Sequence, residues 1–229
     1  MKALIYKEFK LAMHPICYVF IALFPFMILI PSYPIAIGFI YVLTCYPILF
    51  LGANKGQQSN DLLYSTLLPV RKKDIVMARI ITCAVMQFAF IAIMSALYPL
   101  AYALQGMITV ESGQQLDIPG IGLNGFVSVI AIALFGYTLA DLIFFPIYYK
   151  NGRSIVLSTL MMLLGFIIYL AVFTIIIPYI PGCEGYKTFL ENENIGIQFA
   201  LLGGVLVLYV LLHYLVYRIS AKRLEKVDF

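Results

Sequence analysis

Along most of this chain the apolar positions neither alternate nor recur every third or fourth residue; they run on without interruption. Residues 11–54, 80–110, 118–140, 154–183 and 194–217 contain no Lys, Arg, Asp or Glu. A helical crossing of the bilayer takes about 20 apolar residues. The first run has room for two crossings, with "PSYP" at Pro31–Pro34 as the turn between them, and each later run has room for one. The pattern predicts six helices, at about 13–31, 34–53, 77–104, 122–147, 154–178 and 196–217. Pro25 and Pro99 fall inside predicted spans and are expected to kink them.

Two polar stretches carry shorter patterns. In residues 1–12, Leu4, Ile5, Leu11 and Ala12 recur at helical spacing, with Lys2, Lys7, Glu8 and Lys10 largely on the other side. That suits an amphipathic helix lying in the membrane interface, the alternative being a basic tail that only sets topology. In the 54–76 connection, Leu62, Leu63, Thr66, Leu67 and Val70 share one helical face. Asn60 or Ser59 can cap this helix, Asp61 suits its first turn, and Pro69 ends it. Two turns are too short to be stable alone, so the apolar face must be covered. The covers are the lipid interface, the chain's own spans or another protein. The basic residues Arg71, Lys72 and Lys73 follow the helix and do not line its polar face, which favours a protein partner over lipid.

Composition agrees with this solvent. The 229 residues are 63% apolar and 11% charged, with mean hydropathy +0.98, where a soluble domain would be about a quarter charged. The net charge of +4 matters less than its placement. Of 15 Lys and Arg, 14 lie before the first span, in 55–79, at 150–153 or from Arg218 onward, with Lys187 the exception. The positive-inside rule therefore puts both termini, the 54–76 loop and a 218–229 tail in the cytoplasm. The basic residues flank apolar runs and form no stripe, so no nucleic-acid partner is implied; membrane lipids are. With no Trp, the interfacial anchors are expected to be Tyr33, Tyr98, Tyr102 and Tyr179 outside and Tyr148, Tyr149, Tyr214 and Tyr217 inside.

Candidate chemistry is sparse. Asp141 is the only acid inside a span and a functional candidate on that ground. Close to the inner boundary, it either belongs to a pathway, or is structural, snorkelling or pairing with Arg79, Lys150 or Arg153. Cys17, Cys45 and Cys83 lie in apolar runs and only Cys183 in a polar loop, so no disulfide framework is expected. These single cysteines and the distant His14 and His213 do not make a metal site. Ser95, Ser128 and Ser158 have no motif that sets His213 beside them as a base. "MKALIYKEFK" at the start, charged and with no small-residue cleavage site behind its apolar segment, is not expected to act as a signal peptide. "GANKGQQSN" (Gly52–Asn60) lacks the spacing and the Lys-Ser/Thr pair of a phosphate loop, so an ATPase would be another polypeptide. Gly203 and Gly204 are expected to let helices approach closely.

"LLPVRKKDIVMAR" (Leu67–Arg79) resembles the Leu-Pro-Val-Ser-Arg-x-x-Ile-Val signature that follows the second span of type-2 ABC transporter permeases. "FPIYYKNGRS" (Phe145–Ser154) is similar to the Pro-x-Tyr-Tyr-Lys-x-Gly segment after their fourth span. The resemblance covers the whole chain and is nearest to the small permease subunit of phenol-soluble-modulin exporters. It implies an all-α membrane protein: an interfacial helix over 1–12, six spans over 13–217, and a short cytoplasmic coupling helix. That coupling helix would dock on an ATPase subunit through Asp61, Leu62, Leu63, Thr66, Leu67, Pro69, Val70 and Arg71. Arg71 stands where the family often has a capping Ser, with Asp74 as the capping-box partner. The resemblance further implies a non-catalytic subunit of a bacterial plasma-membrane exporter of amphipathic peptides. A second permease copy or paralogue would complete it, and ATP and Mg would be bound by the partner ATPase. The rival reading is an ion-coupled secondary carrier, for which one off-centre acid and no internal repeat are thin support.

Overall fold

In the computed structural model, the described residues are 2–13, 15–29, 65, 69–112, 126–151, 155–172 and 195–226. Among these residues, six α-helices are delimited: α1 (Lys2–Lys7), α2 (Pro15–Leu23), α3 (Lys72–Ser112), α4 (Phe126–Asn151), α5 (Ile155–Ala171) and α6 (Ile195–Glu225). A π-helical turn, Glu8–Ala12, continues α1, and a 3-10 segment, Phe24–Leu29, continues α2.

Three of these helices, α3, α4 and α6, are long and apolar enough to cross a membrane. The N-terminal helix and α2 meet at 83° and together make a fourth candidate. The corner is Met13, whose backbone is extended at φ −81°, ψ 124°, and whose N–H donates to Glu8 O at 2.9 Å. Pro15 then opens α2, where its missing N–H costs nothing. The predicted span 34–53 lies outside the described residues, as do most of 54–76 and the end of the 154–178 span. The six-span count therefore stands as an expectation. α5 covers 17 residues, about 25 Å of rise.

Helix ends depart from the charge-free runs in a consistent way. The third helix begins at Lys72, not at 77, and the last runs through the predicted tail to Glu225. Charged residues end the apolar run but are good helix formers, so helices extend into the interface beyond the lipid-facing part. Arg71 precedes the first turn of α3, and its carbonyl accepts from Asp74 N–H at 2.9 Å. Pro99 and Pro146 are both accommodated inside helices.

Packing centres on α4, which lies against α5 and most extensively α6, while α3 packs on α1, α2, its 3-10 extension and α6. The small residues that allow close approach are not the predicted pair. A Cβ on Gly136 of α4 would stand 2.9 Å from both Phe166 Cε2 and Tyr169 Cε1 of α5, and one on Gly165 would meet Ile143. Tyr169 OH donates to Ile132 O at 2.7 Å across the same crossing. Gly203 and Gly204 instead face open space. They sit on the outer side of α6, beside exposed Val207, Val210 and Leu211.

Candidate functional site

α3 and α4 meet through long side chains placed as rungs along an antiparallel pair. Arg79 Nη1 donates to Tyr148 OH at 3.0 Å, Gln87 Nε2 donates to Asp141 Oδ2 at 2.9 Å, and Tyr98 stacks on Phe126 at 3.9 Å between centroids. Arg79, Cys83 and Gln87 are spaced by four along α3, and Asp141 and Tyr148 by seven along α4, so each set shares one helical face. The two polar rungs are separated by eight residues of α3, about 12 Å.

The rung nearer the start of α3 is an ion pair. Arg79 Nε donates to Glu8 Oε2 at 3.1 Å, and the two residues are 2% and 1% exposed. Lys7 Nζ lies 3.6 Å from Glu8 Oε1 and also donates to Ser65. Arg79 further sits over the Tyr148 ring, 6.0 Å from its centroid. A buried carboxylate and guanidinium are tolerated only when paired and hydrogen-bonded, and both conditions hold here. At the same end, Arg223 of α6 donates to Pro146 O of α4 at 2.6 Å.

The second rung belongs to a closed ring of four residues from three helices. Tyr209 OH of α6 donates to Gln87 Oε1 at 2.5 Å, and Gln87 Nε2 donates to Asp141 Oδ2. His213 Nε2 is 2.9 Å from the same Oδ2, and His213 Nδ1 is 2.8 Å from Tyr209 O. The His213 ring stacks on the Tyr209 ring at 3.9 Å. Asp141, Gln87 and His213 are buried. Three other span hydroxyls are satisfied locally: Thr82, Thr138 and Ser158 donate to carbonyls three or four residues back. Among the described residues, no three His, Cys, Asp or Glu gather as a metal site.

A family model for ABC-2 family transporter proteins matches residues 3–223. The chain belongs to the ABC-2 transporter family. It is thus a permease component of an ABC transporter, a subunit type that is typically non-catalytic and works with an ATPase. No curated protein and no solved structure matches it.

Several sequence expectations change in this ABC-2 permease. Asp141 does not snorkel: it is 0% exposed and held by Gln87 and His213, residues brought from 54 and 72 positions away. Of the three bases considered as its partner, Arg79 directs its Nε at Glu8, Lys150 is exposed, and Arg153 lies outside the described residues. Glu8, assigned by periodicity to the polar side of the first helix, points inward because Arg79 neutralises it there. Tyr98, Tyr148 and Tyr149, expected as interfacial anchors, are buried in the core, whereas Tyr214 is exposed beneath Arg218.

Of the predicted docking residues, Pro69 and Arg71 are exposed and Val70 is half-buried. Asp61, Leu62, Leu63, Thr66 and Leu67 lie outside the described residues. Ser65, in the same segment, was not singled out and is buried against Lys7. Sequence reasoning also missed Gln87, Tyr209 and the role of His213. Their signal was present as polar side chains in the middle of charge-free runs, which in lipid need partners.

Proposed function

We propose that this permease serves an exporter in a bacterial plasma membrane, with both termini cytoplasmic and an ATPase subunit docking on residues 61–70. The observation that carries the coupling reading is the link Ser65–Lys7, continued by Glu8–Arg79 and Arg79–Tyr148. A displacement of Ser65 would reach α3 and α4 through these bonds. Two permeases, copies or paralogues, would enclose the pathway, and the substrates would be amphipathic peptides of the phenol-soluble-modulin type. The exposed apolar faces of α5 (Leu160, Leu164, Ile167, Ile168) and α6 (Val207, Val210, Leu211) are suited to lipid or to that second permease. Family membership favours ATP drive over the ion-coupled carrier.

Leu67→Asp tests the docking assignment. The variant is expected to insert normally, to lose co-purification of the ATPase, and to abolish ATP-dependent movement of an amphipathic helical peptide in inverted membrane vesicles. Unchanged ATPase recovery and unchanged transport would remove residues 61–70 from the docking surface.

A further inference from the structure

Both ring nitrogens of His213 face acceptors, and this fixes a proton count. Nδ1 lies 2.8 Å from the Tyr209 carbonyl, which can only accept, so Nδ1 carries hydrogen. With Nδ1 protonated, a neutral imidazole has a bare lone pair at Nε2. That lone pair would then face Asp141 Oδ2 at 2.9 Å. Two lone pairs at this distance repel, so the contact requires one more proton. It resides either on Nε2, giving imidazolium and carboxylate, or on Oδ2, giving imidazole and carboxylic acid. The total is the same in both.

Gln87 adds a constraint. Its amide nitrogen donates to Oδ2 and its oxygen accepts from Tyr209 OH, an orientation set by the hydroxyl and carboxyl at its two ends. Around the ring, every bond then has one donor and one acceptor only if the extra proton is present. Removing it leaves a buried carboxylate facing a lone pair, and breaks the direct tie between α4 and α6.

The geometry points to a proton-binding site inside the membrane domain, formed by Asp141, His213, Gln87 and Tyr209, that holds one proton between His213 Nε2 and Asp141 Oδ2. Among the described residues, the titratable groups facing it include Cys83 from α3 and Tyr209 from α6. Farther along the same face, Glu8 and Arg79 pair with each other, and Cys17 of α2 lies within electrostatic reach of Cys83. None of these supplies the missing donor between Nε2 and Oδ2. Outside the docking reading, this site stands on ring geometry alone.

The test is a direct observation of the proton. The sequence has two histidines, so His14→Gln in the full chain, labelled with 15N-histidine and placed in lipid nanodiscs, leaves only His213 in the nitrogen spectrum. Spectra and infrared carboxyl bands would be recorded to about pH 8.5, roughly two units above the ordinary imidazole value. The expected result is either a ring protonated at both nitrogens, or an Nδ1–H ring together with a carboxylic-acid band that Asp141→Asn removes. In the first case, Asp141→Asn yields a neutral Nδ1–H ring, because the carboxamide can donate to Nε2. A neutral ring with an ionised carboxylate in the parent protein, or an Nε2–H tautomer, overturns the proposal. The parent spectra decide it even if the Asn variant does not fold.

Discussion

Replacing Glu8 by Gln removes one charge and almost no volume, and the structure says why it should be costly. Arg79 is left 2% exposed, with a neutral amide at the former 3.1 Å ion-pair contact and Tyr148 OH at 3.0 Å as a second neutral partner. Breaking a buried pair by removing one partner costs about 3–5 kcal/mol, and the retained amide oxygen places Glu8→Gln near the lower end, about 3 kcal/mol. That is a roughly 100-fold change in the folding equilibrium at 1.4 kcal/mol per tenfold. Arg79→Met should cost less, because the stranded carboxylate keeps Lys7 Nζ at 3.6 Å, and Lys7 is only half-buried. Glu8→Leu combined with Arg79→Met leaves no buried charge and should recover most of the loss, as apolar replacements of buried pairs do. The assay is denaturant-induced unfolding in mixed micelles, followed by the tyrosine signal, with Glu8→Leu, Arg79→Met and their double read as a cycle. Glu8→Gln within about 0.5 kcal/mol of the parent, or additive losses in the double, would refute the argument, since coupling is the signature of a buried pair.

The glycine assignments separate cleanly. Gly136→Ala puts a methyl 2.9 Å from two aromatic rings of α5 and should cost about 1–3 kcal/mol by overpacking. Gly203→Ala, facing open space, should be neutral or gain up to about 1 kcal/mol of helix propensity; thermal melts of both variants check the contrast, and equal melts would refute it. Tyr209→Phe deletes the donor to Gln87 Oε1 and should lower stability by about 1 kcal/mol or more, since the amide oxygen is left buried. The same unfolding assay reads it, and no change would mean the bond is not made. Cys17 and Cys83 are buried thiols outside any disulfide, so a membrane-permeant maleimide should label neither in the folded protein but both after denaturation. Rapid native labelling of either would place it on an accessible surface.

How much was legible depended on the range of the interaction. Charge-free runs gave the existence of α3, α4 and α6 because the bilayer acts on each segment by itself: a stretch is helical in lipid whatever else the chain does. The Pro-Val-Arg segment and the Pro-Ile-Tyr-Tyr-Lys segment pointed to the ABC-2 family, and the family match over residues 3–223 agrees. Asp141 was identifiable as the acid that had to be explained. What it pairs with was not, because nothing local connects position 141 to 87 and 213. Periodicity failed at Glu8 for the same reason. Helical spacing sorts residues by hydropathy, and an acid that a distant Arg79 neutralises sits on the buried side against that sorting. It failed too at Gly203 and Gly136, since a small residue eases close approach only where another helix arrives. The sequence alone settles the solvent, the helices and the family. The tertiary structure decides which polar groups end up facing one another, because in lipid an unpaired polar group costs more than any local preference can offset.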